Sequence, residues 1–235
     1  MRRRTVLAAL AAGAALALAA ADGLAQRRAP PAQRDWTRMV VATAEGGFRM
    51  GNPAAPVKVI EYLSLACPHC ASFHAESAGR LFPAYVRSGR VSVEYRNILI
   101  SAPDAAATVL ARCASPRAHF AMSHELLSTQ AQWLGRADAL TQTQRNQLNA
   151  LPPLQQVQRL AALLGLDRVA ARHGLTPAAQ RACLTSAANF DRIEAVQNAA
   201  NRQYGVTGTP TFVVNGRTIT DTNTWSGIEP LLRGR

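Results

Sequence analysis

The chain has 235 residues, 48% of them hydrophobic, enough to bury one good core with room for a subdomain. Its formal charge is +12, from 26 basic and 14 acidic residues. The basic residues are scattered and aromatics make up only 6%, so no basic stripe interleaved with aromatics marks a nucleic-acid surface. General attraction to anionic surfaces is the most this charge implies.

Met1-Arg2-Arg3-Arg4 is a basic head, Val6 to Ala21 an apolar, alanine-rich run, and Gly23-Leu24-Ala25 offers small residues for cleavage. This is the pattern of a signal peptide over 1–25, and the run is short for a spanning helix. The paired arginines before Thr5-Val6-Leu7 loosely resemble a twin-arginine signal; the ordinary secretion route stays open. Export places the mature chain in the periplasm, an oxidising compartment where disulfides persist. Removing residues 1–25 leaves 23 − 13 = +10. Residues 26–45 read as a linker or N-terminal extension, Pro-rich and polar to about Gln33, with a short element within Trp36 to Ala44.

Phe48 to Pro53 reads as a lead-in strand and turn, and Val57 to Leu63 as a buried strand, β-branched, aromatic and short. After a brief turn comes Cys67-Pro68-His69-Cys70, with Pro68 suited to the first residue of a helix. Phe73, Leu81, Phe82 and Tyr85 carry the helical spacing up to Gly89. Cys67 then faces unpaired backbone N–H groups and the positive end of the helix dipole. That setting favours thiolate, the nucleophile of disulfide chemistry. His69 adds positive charge nearby, and Cys70, one turn on, is placed to attack a mixed disulfide on Cys67. A zinc site would need a second close Cys/His pair, whereas Cys113 and Cys183 stand alone. Covalent haem attachment needs His after the second cysteine, where Ala71 stands. A purely structural bridge here would close almost no loop and stabilise little. The expected chemistry is therefore redox, with the Cys67–Cys70 disulfide as the active group and no separate cofactor or metal.

Val91 to Arg96 alternates apolar and polar residues, predicting a strand with one buried face, parallel to its predecessor after the helical crossover. From Pro103 to Gln203 the pattern is helical: Ala105 to Ala114, His119 to Thr129, Gln155 to Leu164, Asp167 to His173, Pro177 to Ser186 and Phe190 to Tyr204. Gly174 and Gly205 read as stops, Thr176-Pro177 and Asn189 as starts. The glutamine-rich stretch from Thr141 to Gln158 is undecided. Strands return at Thr211 to Val214 and Arg217 to Ile219, joined by Asn215-Gly216, a type I′ hairpin signal. A last helix includes Ile228, Leu231 and Leu232. This order is α/β and thioredoxin-like with an inserted all-helical subdomain: 46–101 and 190–235 form the thioredoxin-like part, and 102–189 the insertion.

Cys67-Pro68-His69-Cys70, the preceding Ile60 to Ala66, and Gly208-Thr209-Pro210-Thr211 together resemble the DsbA family of bacterial thiol:disulfide oxidoreductases over about residues 46 to 232. The resemblance implies a catalyst that donates its disulfide to reduced or unfolded exported proteins and is reoxidised by a DsbB-like membrane partner. It implies Cys67 as exposed nucleophile, Cys70 as buried resolving thiol, and His69 as stabiliser of the Cys67 thiolate. Glu61 matches the family's buried acid, assisting proton transfer at Cys70; the alternative is an edge-facing glutamate. Pro210 is expected in cis, holding Thr209 beside Cys67 where a substrate strand can pair. Thr209 departs from the valine of the best-known oxidases and resembles isomerase relatives, so a reductase or isomerase is the alternative activity. With no N-terminal dimerisation domain of the usual isomerase design, a monomer is expected.

Cys113 and Cys183 fall on two predicted helices, as two buried thiols or one structural disulfide; a loop of that length would stabilise by about 4 kcal/mol. His119, His124 and His173 carry no ligand spacing, and Trp36, Trp133 and Trp225 read as packing residues. A reading of a different class is a binding module, in which the groove holds unfolded exported chains and the disulfide is incidental.

Overall fold

The computed structural model describes residues 34–233; the expected signal peptide and residues 26–33 of the extension lie outside them. Six strands form one sheet: β1 (Val40–Ala42), β2 (Phe48–Gly51), β3 (Val57–Leu63), β4 (Val91–Asn97), β5 (Thr211–Val214) and β6 (Arg217–Ile219). Their order is β1-β2-β4-β3-β5-β6. Only β3 and β4 pair in parallel, as expected of strands joined by a helical crossover. The edge strand β1 pairs with β2 from within the stretch read as an N-terminal extension.

The crossover is α1 (Pro68–Arg80), continued by a π-helical turn, Leu81–Val86. Pro83 sits in that turn and has no N–H to donate, and the backbone widens until Arg87 N–H reaches Phe82 O. Between β4 and β5 run eight helices: α2 (Ala102–Cys113), α3 (Pro116–Ser128), α4 (Gln130–Asp138), α5 (Gln142–Asn149), α6 (Pro153–Leu163), α7 (Leu166–Arg172), α8 (Pro177–Leu184) and α9 (Ala187–Tyr204). α10 (Trp225–Leu232) closes the chain. The undecided glutamine-rich stretch is two helices. Thr141 and Gln144 form a reciprocal capping box at α5, and Pro153 opens α6. α9 starts at Ala187, ahead of the expected Asn189, and ends at Gly205, whose φ of 63° only glycine adopts freely.

Alternation along the strands divides the core in two. Val57, Val59 and Leu63 of β3, Val91, Val93 and Tyr95 of β4, and Phe212 of β5 join α1, α10 and the inserted helices. Tyr62 and Val213 point to the other face, with Ala200 of α9 and Val206. With helices on both faces, β4 is buried at every residue, not on one face only. The structure corrects that expectation: Glu94 and Arg96 are buried as a pair, Arg96 Nε 2.7 Å from Glu94 Oε1. Thr43 Oγ1 donates to the same carboxylate and Arg96 reaches Tyr62 Oη, so the buried charges are neutralised and hydrogen-bonded.

Candidate active site

β3 ends at Leu63, and four buried residues, Ser64 to Cys67, carry the chain into α1; Cys67 is 6% exposed and so is not the exposed sulfur that the resemblance implied, because the cis-proline loop covers it. Cys67 occupies the position before the first helical residue, with extended backbone (φ −80°, ψ 122°) and no side-chain capping bond. Pro68 is the first helical residue, so no N–H is wasted there. The sulfur of Cys67 therefore faces the N–H groups of His69 and Cys70. Across from it, Cys67 Sγ lies 3.2 Å from the carbonyl oxygen of Thr209, and the Thr209–Pro210 bond is cis. The structure thus brings Cys67, Cys70, Thr209 and Pro210 together from opposite ends of the chain.

Both thiols are free, and their surroundings push them apart. The Cys70 side chain, the Thr209 side chain and the N–H groups of Cys70 and His69 stabilise the Cys67 thiolate, pulling its pKa down to about 5 against the opposing effect of burial. Cys70 is fully buried; burial first, then the neighbouring Cys67 and the charge of Glu61, hold its pKa well above the ordinary thiol range. Glu61 is 2% exposed, and burial pushes it up to about 8. It stands on β3 between Tyr95 of β4 and Phe212 of β5 in register, on the face that carries Cys70. It is a buried acid, not an edge-facing glutamate. Pro68 and His69 are exposed, and what His69 brings to Cys67 is its backbone N–H.

This arrangement separates a thiol that ionises readily from one that holds its proton. With these shifts Cys67 is favoured as a thiolate at neutral pH, Cys70 keeps its proton, and Glu61 is mostly protonated.

Sequence reasoning missed the residues that hold the loop. Asp104 of α2, fully buried, accepts from Ser64 Oγ at 2.7 Å and Leu65 N–H at 3.0 Å. Burial pushes its pKa up to about 6 despite those bonds. Gln130, first residue of α4, donates to the carbonyls of Leu65 and Cys67 at 2.8 and 2.9 Å. A serine three residues before an acid, Ser101 and Asp104, was the one local signal, and it marks only a helix start.

Away from the loop, Cys113 and Cys183 are joined in a disulfide, Cα atoms 6.3 Å apart, linking α2 to α8. His119 is buried against Phe48, ring centroids 3.9 Å apart, and burial pushes its pKa down to about 3. His124 Nε2 meets Tyr95 Oη at 3.2 Å, and His173 pairs with Glu125. Trp133 and Trp225 pack in the core, and Trp36 lies against Gly89. Among the described residues no three His, Cys, Asp or Glu side chains come together as a metal-binding group.

A family model described as Thioredoxin matches residues 43–233. Among solved structures, a protein-disulfide isomerase from Novosphingobium aromaticivorans is 30% identical, with a TM-score of 0.72 over 79% of this chain and 94% of that one. Alpha-DsbA1 of Wolbachia pipientis shares the fold at 20% identity, with a TM-score of 0.60 over 80% of this chain and 89% of its own. A Rickettsia bellii protein, provisionally named a protein-disulfide oxidoreductase, is 30% identical over 90 residues, which are 38% of this chain and 35% of that protein. A Rickettsia prowazekii protein of similar name is 26% identical over 126 residues, 53% of this chain and 46% of its own. The chain spans less than half the length of these curated relatives in the matched regions. The family model covers most of the chain, and the chain therefore belongs to the thioredoxin family.

Proposed function

We propose that the protein is a thiol:disulfide oxidoreductase that donates its Cys67–Cys70 disulfide to exported proteins in the periplasm. The observation that carries this reading is the contrast between two sulfurs three residues apart. One is favoured as a thiolate by the donors around the start of α1, and the other is buried and held protonated.

In the oxidised protein a substrate thiolate attacks Cys67 Sγ, forming the mixed disulfide and expelling Cys70 as its thiolate. Glu61, with a pKa near neutrality, supplies the proton that Cys70 retains. A second substrate thiolate then attacks the substrate sulfur of the mixed disulfide and releases Cys67 as a thiolate. Two electrons pass from the substrate dithiol to the protein, and the substrate gains the disulfide. Because the released thiolate is stabilised, the reduced protein is favoured and the disulfide is a strong oxidant. Main-chain groups of Thr209 beside Cys67 suit strand-like pairing with an unfolded substrate. A DsbB-like membrane partner would accept the two electrons and restore the disulfide. The signal peptide reading of 1–25 supports the location; the extension 26–45 adds the edge strand β1 to the thioredoxin-like part, 46–101 with 190–235 around the insertion 102–189.

Thr209, and the similarity to the Novosphingobium protein-disulfide isomerase, favour a second reading as an isomerase or reductase. Equilibration with glutathione separates the two. An oxidase poises well above the cytosolic range, whereas a poise near that of thioredoxin, about −270 mV, would overturn the oxidase assignment. Incubation with a reduced, unfolded dithiol substrate tests catalysis itself: transfer should vanish in Cys67→Ser. Binding of that substrate without transfer by the unaltered protein would identify a binding module instead.

A further inference from the structure

The loop that delivers Cys67 is held by the inserted helices, through polar groups the proposed chemistry does not use. Asp104 is fully buried and has no cation among its hydrogen-bond partners, which are four donors. Its Oδ1 accepts from Leu65 N–H and Thr108 Oγ1, and its Oδ2 from Ser64 Oγ and Ile100 N–H. Ser64 Oγ in turn accepts from Ala66 N–H at 3.0 Å. On the other side of the loop, the Gln130 amide spans the carbonyls of Leu65 and Cys67. The Cys67 carbonyl also receives the first helical bond, from Ala71 N–H at 3.1 Å. Every residue from Ser64 to Cys67 is tied directly or through one neighbour to α2 or α4.

A buried carboxylate is costly unless its lone pairs are satisfied, and an apolar residue would fill the same space without that cost. What Asp104 supplies that an apolar residue cannot is acceptance at two oxygens at once. Asparagine cannot replace it: each oxygen receives one backbone N–H, so either orientation of the amide sets its NH2 against a main-chain donor. Gln130 is equally particular, since one NH2 group serves two carbonyls.

We infer that Asp104 and Gln130 are positioning residues for the Cys67 nucleophile, fixing the backbone of the Ser64–Cys67 loop so that the helix N–H groups and Thr209 converge on its sulfur. The insertion thereby acts on the redox centre itself, as the scaffold of the nucleophile. This inference rests on the reading of Cys67 as the reactive sulfur.

The test uses the full mature chain with Asp104→Asn, Gln130→Met and, as a control, Leu160→Ala in the buried face of α6. Two quantities are read: the titration midpoint of Cys67 in the reduced protein, and the equilibrium constant with glutathione. Asp104→Asn and Gln130→Met should each raise the midpoint and shift the equilibrium toward the protein disulfide by about tenfold, the scale of one lost charge-assisted or shared hydrogen bond. Leu160→Ala should lower the thermal midpoint but leave both quantities within about twofold. If Asp104→Asn does not fold, Gln130→Met, neutral and of similar shape, decides alone. The inference is overturned if the variants that fold merely lose stability with both quantities unchanged, or if Leu160→Ala moves them equally. The Cys67 titration needs no substrate, so a protein that transfers no disulfides would still report on the positioning of its thiolate.

Discussion

Glu61→Leu should stabilise this protein, and increasingly so as the pH rises. Burial lifts the Glu61 carboxyl from 4.5 to about 8. Between those values the folded chain keeps a proton that the unfolded chain releases. Stability from this group is therefore full below pH 4.5 and drains away as the pH rises through 8. Each pH unit in that window costs about 1.4 kcal/mol, so the passage from pH 5 to 8 costs about 4 kcal/mol. Leucine has similar volume and no charge to desolvate, and it removes that loss. The clean assay is urea unfolding of the oxidised protein, in which neither Cys67 nor Cys70 titrates. The difference between variant and wild type isolates Glu61 from Asp104 and the buried histidines, which titrate in both. The variant's advantage should be small at pH 5 and several kcal/mol at pH 8. The same substitution should slow disulfide transfer at least about tenfold, because Cys70 loses its proton source. An advantage that does not change with pH would refute the assignment of Glu61 as a buried, nearly neutral acid.

In Cys70→Ser the Cys67 thiolate should attack a disulfide-bonded substrate protein, expel one substrate sulfur as a thiol and remain as a mixed disulfide, visible as a thiol-sensitive adduct by mass; no adduct would contradict Cys67 as the reactive sulfur. Removing the second bridge with Cys113→Ala and Cys183→Ala together should cost about 4 kcal/mol in denaturant unfolding, from the chain entropy of a 70-residue separation. Thr209→Val replaces by a methyl the hydroxyl that stabilises the Cys67 thiolate, so its titration midpoint should rise, read by thiolate absorbance; an unchanged midpoint would remove Thr209 from the set of stabilising groups.

The cysteine pair, the proline facing it and the hairpin were legible because each is a local pattern with a local cause. Asn215 and Gly216 have φ of 48° and 81°, the left-handed pair that a type I′ turn demands. The break in α1 was not legible: Pro83 opens a π-turn at a position where the apolar spacing simply continues. Nor could alternation reveal that β4 is covered on both faces, because Glu94 and Arg96 look like a solvent face until Tyr62 and Thr43 are folded against them. Asp104 and Gln130 were invisible for the same reason. Their partners in the Ser64–Cys67 loop lie 39 or more residues away along the chain, and an alanine-rich helix with one acid looks like any other helix start.

Titration of the Cys67 thiol in the reduced protein, followed by thiolate absorbance across pH, tests the central claim most directly. The surroundings of the sulfur predict a midpoint of about 5. A midpoint near 8.5, where an unperturbed thiol titrates, would contradict it.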